Sequence, residues 1–131
     1  MSYESRTGAV LFASGPDQVA AFYSHVLGLR ESARDDDHIL LEWPTFQLVV
    51  HRLTGPSATA IPTAPGPATR RADAALKPVF FVHSLANIRA MVGAHGGAME
   101  PRDKEWSFNG VPVCDAMDPE GNVIQFREMH V

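Results

Sequence analysis

The sequence is poor in features that would place it outside the cytoplasm or on a charged polymer. Cys114 is the only cysteine in the 131 residues, so no intramolecular disulfide can form. No stretch approaches 18 apolar residues, and residues 1–8 lack the apolar core of a signal peptide. Basic residues number 11 against 15 acidic ones. Because nucleic acids and anionic membranes attract basic surfaces, we expect a protein that binds neither. The cysteine count and the residues at 1–8 lead us to expect a cytoplasmic location.

The first half of the chain predicts a strand, a helix and further strands. The apolar run at 10–13 is typical of a buried strand, and Pro16 marks a helix start. Apolar residues then recur at helical spacing from Val19 to Leu27, and Gly28 is a suitable helix end. Further strands are predicted near 30–33, 38–43 and 46–52.

The second half repeats this pattern. A strand at 79–82 precedes a helix that Ser84 caps and Gly96–Gly97 end, with strands predicted near 98–101, 111–117 and 122–128. A shift of 69 residues places Val10 on Val79 and Gly28 on Gly97. Two units with the same capping signals in step indicate an internal duplication.

A proline-rich segment separates the two halves. Residues 54–68 contain four prolines, which can neither continue a helix nor pair inside a sheet: Pro56, Pro62, Pro65 and Pro67. We therefore predict one domain over residues 1–131, with a first module at about 6–53, a linker at about 54–76 and a second module at about 77–131.

Two motifs carry a resemblance to a known family. They are Phe22–Tyr23 with Val26–Leu27–Gly28–Leu29 in the first repeat, and Asp118–Pro119–Glu120–Gly121–Asn122 before the last strand. In this order the chain resembles the vicinal oxygen chelate superfamily, which includes glyoxalase I, extradiol dioxygenases and the bleomycin-resistance proteins. The resemblance implies an α+β fold of two tandem βαβββ modules that form a cupped mixed sheet. It also implies a homodimer, as in many members.

The resemblance implies a divalent metal in the cup, but the residues at its ligand positions are poor donors. The usual histidines fall on Gly8 and on Lys77, and a protonated ammonium has no lone pair. The usual glutamate falls on Gln125, and the fourth position falls on Val49 if Leu48 matches Ile124. We therefore predict no metal cofactor. A metal site would need His51, Gln47 and Gln125 to converge with a further ligand.

The predicted ligand-binding residues are the aromatic and polar side chains that the resemblance places in or around the cup. For Phe12 and Phe81, ordinary core packing is an equally open interpretation. Lys77 and Gln125 are candidates to hold a carboxylate or carbonyl group of the ligand. Cys114 is interpreted as a small buried hydrophobe, and no catalytic residue is identified. The full set is Phe12, Trp43, Gln47, His51, Lys77, Phe81, Trp106, Phe108 and Gln125.

These observations predict a small-molecule binding protein of the glyoxalase/bleomycin-resistance type. Its partner would be a small organic ligand, held in an apolar cup without the usual metal. The alternative is a metal-dependent lyase, isomerase or dioxygenase with a non-standard ligand set. The sequence leaves open whether any reaction follows binding.

Overall fold

A computed structural model describes residues 6–55 and 68–129. The described part divides into two compact units. We call residues 6–55 unit 1 and residues 68–129 unit 2. The linker prolines Pro56, Pro62, Pro65 and Pro67 lie outside the described residues.

Each unit contains one α-helix and a small mixed sheet. In unit 1 the elements are β1 (Thr7–Ala13), α1 (Pro16–Leu27), β2 (Arg30–Arg34), β3 (His38–Trp43) and β4 (Phe46–Arg52). In unit 2 they are β5 (Val79–Val82), α2 (Leu85–Ala94), β6 (Ala98–Met99), a short 3₁₀ turn (Arg102–Lys104), β7 (Trp106–Phe108), β8 (Val111–Met117) and β9 (Val123–Glu128).

The two sheets have the same strand order. In unit 1 the order is β1-β4-β3-β2, with β1 parallel to β4 and the other pairs antiparallel. In unit 2 the order is β5-β9-β8-β6, with β5 parallel to β9. The short strand β7 also pairs with β8, although the sequence indicated only a connection there. Both units are therefore βαβββ modules, and unit 2 carries one extra strand.

The helices begin and end where the sequence predicts. Pro16 opens α1, and Gly28 closes it in the left-handed conformation with φ 72°. The Ser84 side chain accepts a hydrogen bond from the Asn87 backbone N–H at 3.2 Å and so caps α2. Neither helix in residues 6–55 and 68–129 is long and apolar enough to cross a membrane.

One face of each sheet packs against its helix and forms the hydrophobic core of that unit. In unit 1, α1 buries Val19 and Phe22 over β3 and β4. In unit 2, α2 buries Leu85, Ile88 and Val92. The apolar period of α2 also predicts burial of Met91, which was wrong, since Met91 is 37% exposed. Successive helical residues lie about 100° apart, so burying Val92 turns Met91 toward solvent.

The turn before β9 is held by several hydrogen bonds. Asp118 is fully buried, and its Oδ1 accepts from the backbone N–H groups of Glu120 and Asn122 at 2.9 and 3.0 Å. Gly121 follows with φ 83°. Its carbonyl accepts from the Arg71 N–H at 2.9 Å, and a Cβ at this position would lie 2.0 Å from the Thr69 carbonyl oxygen. The first residues of unit 2 are thus packed directly against this glycine.

Gly121→Ala should therefore destabilise the protein more than the same change at Gly110. Gly110 also has positive φ, at 75°, but a Cβ there meets nothing within 4 Å. We expect Gly110→Ala to cost about 1–2 kcal/mol from backbone strain. Gly121→Ala should cost at least about 1 kcal/mol more, because the methyl group displaces the Thr69 backbone. Urea unfolding of both variants measures the difference, and equal losses would contradict the contact.

Candidate ligand-binding site

The face of the unit 2 sheet that turns away from α2 carries a group of exposed apolar and aromatic side chains. Strand alternation puts them on one surface. Phe81 on β5 pairs in register with Arg127 on β9, and Trp106 and Phe108 are alternate residues of β7, which pairs with β8. Phe81 is 53% and Phe108 47% exposed. We call this surface the open face of unit 2. It consists of Lys77, Val79, Phe81, Trp106, Phe108, Asp115, Gln125 and Arg127.

A buried carboxylate organises the polar part of the open face. Asp115 is only 8% exposed, and its two oxygens accept from two predicted site residues. The Lys77 ammonium donates to Oδ2 at 2.9 Å, and the Gln125 amide Nε2 donates to Oδ1 at 3.2 Å. Arg70 lies 3.8 Å from Oδ2 and also pairs with Glu100. The structure therefore brings Lys77 and Gln125 together, on an acceptor that belongs to the protein.

Arg127 is the second polar feature of this face. Its Nε donates to Gln125 Oε1 at 2.8 Å, and its guanidinium carbon lies 4.7 Å from the centre of the Phe108 ring. Such stacking is a cation–π contact. None of the ion pairs formed within residues 6–55 and 68–129 includes Arg127. The guanidinium is thus fixed in place by an amide and a ring, without a carboxylate partner in the described chain.

Unit 1 has an equivalent open face with three of the predicted residues. Phe12 pairs in register with His51, their ring centres 5.2 Å apart, and Gln47 lies on the same face of β4. Phe12 is 51% exposed. Trp43 lies on the opposite, helix-facing side, where its indole Nε1 donates to the Leu27 carbonyl at 3.1 Å. Trp43 is thus separated from the other predicted residues of unit 1.

A histidine pair completes the open face of unit 1. His38 pairs with His51 across β3 and β4, with ring centres 4.3 Å apart. His51 Nδ1 lies 2.7 Å from the Arg52 carbonyl and His38 Nδ1 lies 3.0 Å from Asp35 Oδ1. Hydrogen bonds from the Asp37 backbone and from His38 lower the pKa of Asp35. Because carbonyl and carboxylate oxygens only accept, Nδ1 is a protonated nitrogen in each ring, and in the neutral form of the ring the lone pair is on Nε2.

The four positions where the resemblance implies metal ligands can now be compared through strand register. Val10 faces Val49 in unit 1, and Val79 faces Gln125 in unit 2, so Val49 and Gln125 occupy equivalent positions. In this register Leu48 corresponds to Ile124, which is the case in which the fourth position falls on Val49. No group of three or more histidine, cysteine or acidic side chains suited to a metal ion occurs in the part of the chain that the structure describes.

Cys114 lies on the helix side of β8 and is fully buried. Its thiol is within hydrogen-bonding distance of the Glu100 and Asp115 carbonyl oxygens, both at 3.5 Å. Burial raises the pKa of this thiol, which disfavours the nucleophilic thiolate. The interpretation of Cys114 as a small buried hydrophobe agrees with this position.

Two residues of the open face were not predicted from the sequence. Asp115 stands inside the apolar run Val111–Met117, and Arg127 stands near the end of the last strand. The available signal was the alternation in β8 and β9, because Asp115 faces Gln125 directly and Arg127 follows Gln125 on the same face. A charged residue at an alternate position of an apolar strand marks a polar group on the sheet face.

No family model and no curated protein sequence matches the chain. Solved structures do match it over nearly the whole length. A glyoxalase/bleomycin resistance protein/dioxygenase family enzyme from Burkholderia phytofirmans PsJN is 14% identical, with a TM-score of 0.69, and the match covers 97% of this chain and 100% of that one. A bleomycin resistance determinant encoded on the transposon Tn5 is also 14% identical, with a TM-score of 0.65 and coverage of 98% and 100%.

A third match is a lactoylglutathione lyase from Agrobacterium tumefaciens. It is 18% identical, with a TM-score of 0.61, and the match covers 98% of this chain and 96% of that one. Identities this low establish the fold and not the activity. The predicted α+β fold with two βαβββ modules, of the glyoxalase/bleomycin-resistance kind, is confirmed.

Removing the Asp115 carboxylate should cost more stability than removing its lysine partner. Asp115→Ala leaves the buried Gln125 amide N–H without its acceptor, for which we expect a loss of about 1–3 kcal/mol. Lys77→Met should cost less than about 1 kcal/mol, because the Lys77 side chain is 42% exposed and Asp115 keeps both the Gln125 amide and the nearby Arg70. Urea unfolding of the two variants compares them. A larger loss for Lys77→Met would show that the lysine, and not the carboxylate, organises the face.

Proposed function

We propose that this chain, which has the glyoxalase/bleomycin-resistance fold, is a small-molecule binding protein whose ligand lies on the open face of unit 2. The proposal includes the predicted absence of a metal cofactor. The predicted homodimer and cytoplasmic location are kept with it as expectations.

The observation that carries the proposal is the composition of the open face. Small-molecule sites combine apolar and aromatic surface with a few fixed polar groups. Here Phe81, Trp106 and Phe108 are each more than 40% exposed, although large aromatic side chains are usually buried. They lie on the same face as a hydrogen-bonded series that runs from Lys77 through Asp115 and Gln125 to Arg127, and they are closest to its Arg127 end. An aromatic surface around fixed charges suits an organic ligand with one polar end.

The residues at the implied ligand positions support binding without a metal. A Cβ at Gly8 would lie 2.9 Å from the Gln47 carbonyl oxygen, so a larger side chain does not fit there without movement of the backbone. The Lys77 ammonium is a donor engaged by Asp115. The Gln125 oxygen already accepts from Arg127, and a divalent cation would compete with that bond. This donor set does not fit a divalent metal.

A titration by two-dimensional ¹H–¹⁵N NMR tests the proposal. The probes are trans-cinnamate and trans-cinnamamide, which share an aromatic body and differ in charge. We expect at least one of them to shift the amide signals of β5, β7 and β9. Phe81→Ser should weaken that binding at least about fivefold, because it removes exposed aromatic surface from the face.

Met91→Ser is the matched control, since it removes an exposed apolar side chain from α2 in the same unit. This variant should bind as the unchanged protein does. If neither probe shifts the signals of β5, β7 and β9, or if both variants lose binding equally, the open face is not the binding surface.

The histidine pair of unit 1 favours a second candidate, a metal-dependent lyase, isomerase or dioxygenase. Histidines that bind metals usually donate their second ring N–H to a carboxylate or backbone carbonyl. His38 and His51 both do so, and their Nε2 atoms keep lone pairs. His38 would supply the further ligand that this alternative requires beside His51.

Metal analysis of protein purified without chelators separates the two candidates. The metal-free proposal predicts less than about 0.1 equivalent of nickel, zinc, iron or manganese per chain after dialysis. The second candidate would be established if the unchanged protein holds one equivalent of metal per chain and both His38→Gln and His51→Gln hold less. His25→Gln serves as the control, because His25 lies on α1 away from the pair.

A further inference from the structure

We propose that the ligand of the open face of unit 2 is an aromatic carboxylate whose anionic group is bound by the Arg127 guanidinium. This assignment rests on the proposed function and adds the chemical class of the ligand to it. It follows from how Arg127 is held and from which of its hydrogen-bond donors are left.

The orientation of Arg127 is fixed through two neighbours. Gln125 is almost fully buried, and its amide nitrogen is directed to Asp115. Its amide oxygen must therefore face the other way, where it accepts from Arg127 Nε at 2.8 Å. Phe108 supports the guanidinium plane from 4.7 Å. Such a group is preorganised, so little side-chain entropy is lost when a ligand binds.

The remaining donors of Arg127 form a fork suited to a carboxylate. A guanidinium has five N–H donors, and the bond to Gln125 uses only the one on Nε. The two terminal nitrogens make no hydrogen bond within residues 6–55 and 68–129. Parallel N–H groups of this kind bind a carboxylate with two hydrogen bonds.

The charges around this point favour an anion. The hydrogen-bonded groups of the open face and their ion-pair partners include three cations, Arg70, Lys77 and Arg127, against two carboxylates, Asp115 and Glu100. The two carboxylates are paired with Arg70 and Lys77, so the excess positive charge remains at Arg127. A ligand carboxylate would neutralise it.

The neighbours of Arg127 favour an aromatic body on that carboxylate. Phe81 is the register partner of Arg127 on β5, and Phe108 lies against the guanidinium. Both rings are about half exposed. A planar ligand anchored at Arg127 would cover this aromatic surface, and aromatic pairs contribute beyond the area they bury. We place the carboxylate at Arg127 and not at Lys77, because Lys77 already donates to a protein carboxylate.

The dissociation constants of trans-cinnamate and trans-cinnamamide, measured by the NMR titration, test the assignment. We expect cinnamate to bind at least about tenfold more tightly, since a charge-assisted fork replaces a neutral contact. In Arg127→Gln this preference should disappear, because the affinity for cinnamate falls much more than the affinity for the amide. Arg127→Lys should retain part of it, because the charge stays but the fork is lost.

Arg102→Gln is the charge-matched control. Arg102 is exposed in the 3₁₀ turn, and its replacement changes the net charge by the same amount. The preference for cinnamate should survive in this variant. Sedimentation velocity on each variant establishes whether the face instead holds a second copy of the chain.

The outcomes separate this inference from the proposed function. Equal binding of acid and amide would overturn the carboxylate and leave the proposed function standing. A preference that persists in Arg127→Gln would overturn the role of Arg127. Binding of neither probe would overturn both proposals. Both would also be overturned if the unchanged protein is a dimer that binds no probe and the Arg127→Gln variant is a monomer.

Discussion

The open face of unit 2 depends on one buried carboxylate with three donors around it. Asp115 sits in the middle strand of its sheet, where an unpaired charge would cost several kcal/mol, so its partners are fixed by necessity. Lys77 and Gln125 supply the two direct hydrogen bonds, and Arg70 lies just beyond that range. The requirement to satisfy Asp115 therefore determines the direction of every polar side chain that follows it in the series.

The amide of Gln125 transmits that requirement to Arg127. An amide has a donor nitrogen and an acceptor oxygen. Because the Gln125 nitrogen faces Asp115, the Gln125 oxygen must point away from Asp115. That oxygen receives the Arg127 Nε and turns the guanidinium onto Phe108. A glutamate in place of Gln125 would put two carboxylates side by side, which is unfavourable. The same amide thus explains both the position of Arg127 and the poor fit of a metal at this site.

Most of the fold could be predicted because its signals are local. Pro16, Gly28 and Ser84 determine helix ends through their own backbone and side-chain chemistry, and all three act as expected. The errors arose where distant contacts decide. Met91 fits the apolar period as well as Val92 does, and only packing against the sheet selects between them. The three-residue strand β7 exists only because β8 is available to pair with it.

The sequence could predict which residues belong to the candidate site, but not the hydrogen bonds and ring contacts that join them. Repetition and the family resemblance were enough to place Lys77 and Gln125 at two of the four implied ligand positions. Their shared acceptor was hidden, because Asp115 lies 38 residues from Lys77 in the chain and inside an apolar run. The position of Arg127 was hidden for the same reason, because its guanidinium stacks on Phe108, which lies on a separate strand.

The contact between Thr69 and Gly121 has a consequence for how this protein can be altered. Thr69 lies against the turn, and Arg71 is hydrogen-bonded to it through both its backbone and its side chain. Peptides inserted for labelling, or new chain ends made by circular permutation, should therefore not fall between Thr69 and Arg71. A fragment intended to fold as the second half alone must keep these residues. Without them the loop that precedes the last strand loses its contacts with Thr69 and Arg71.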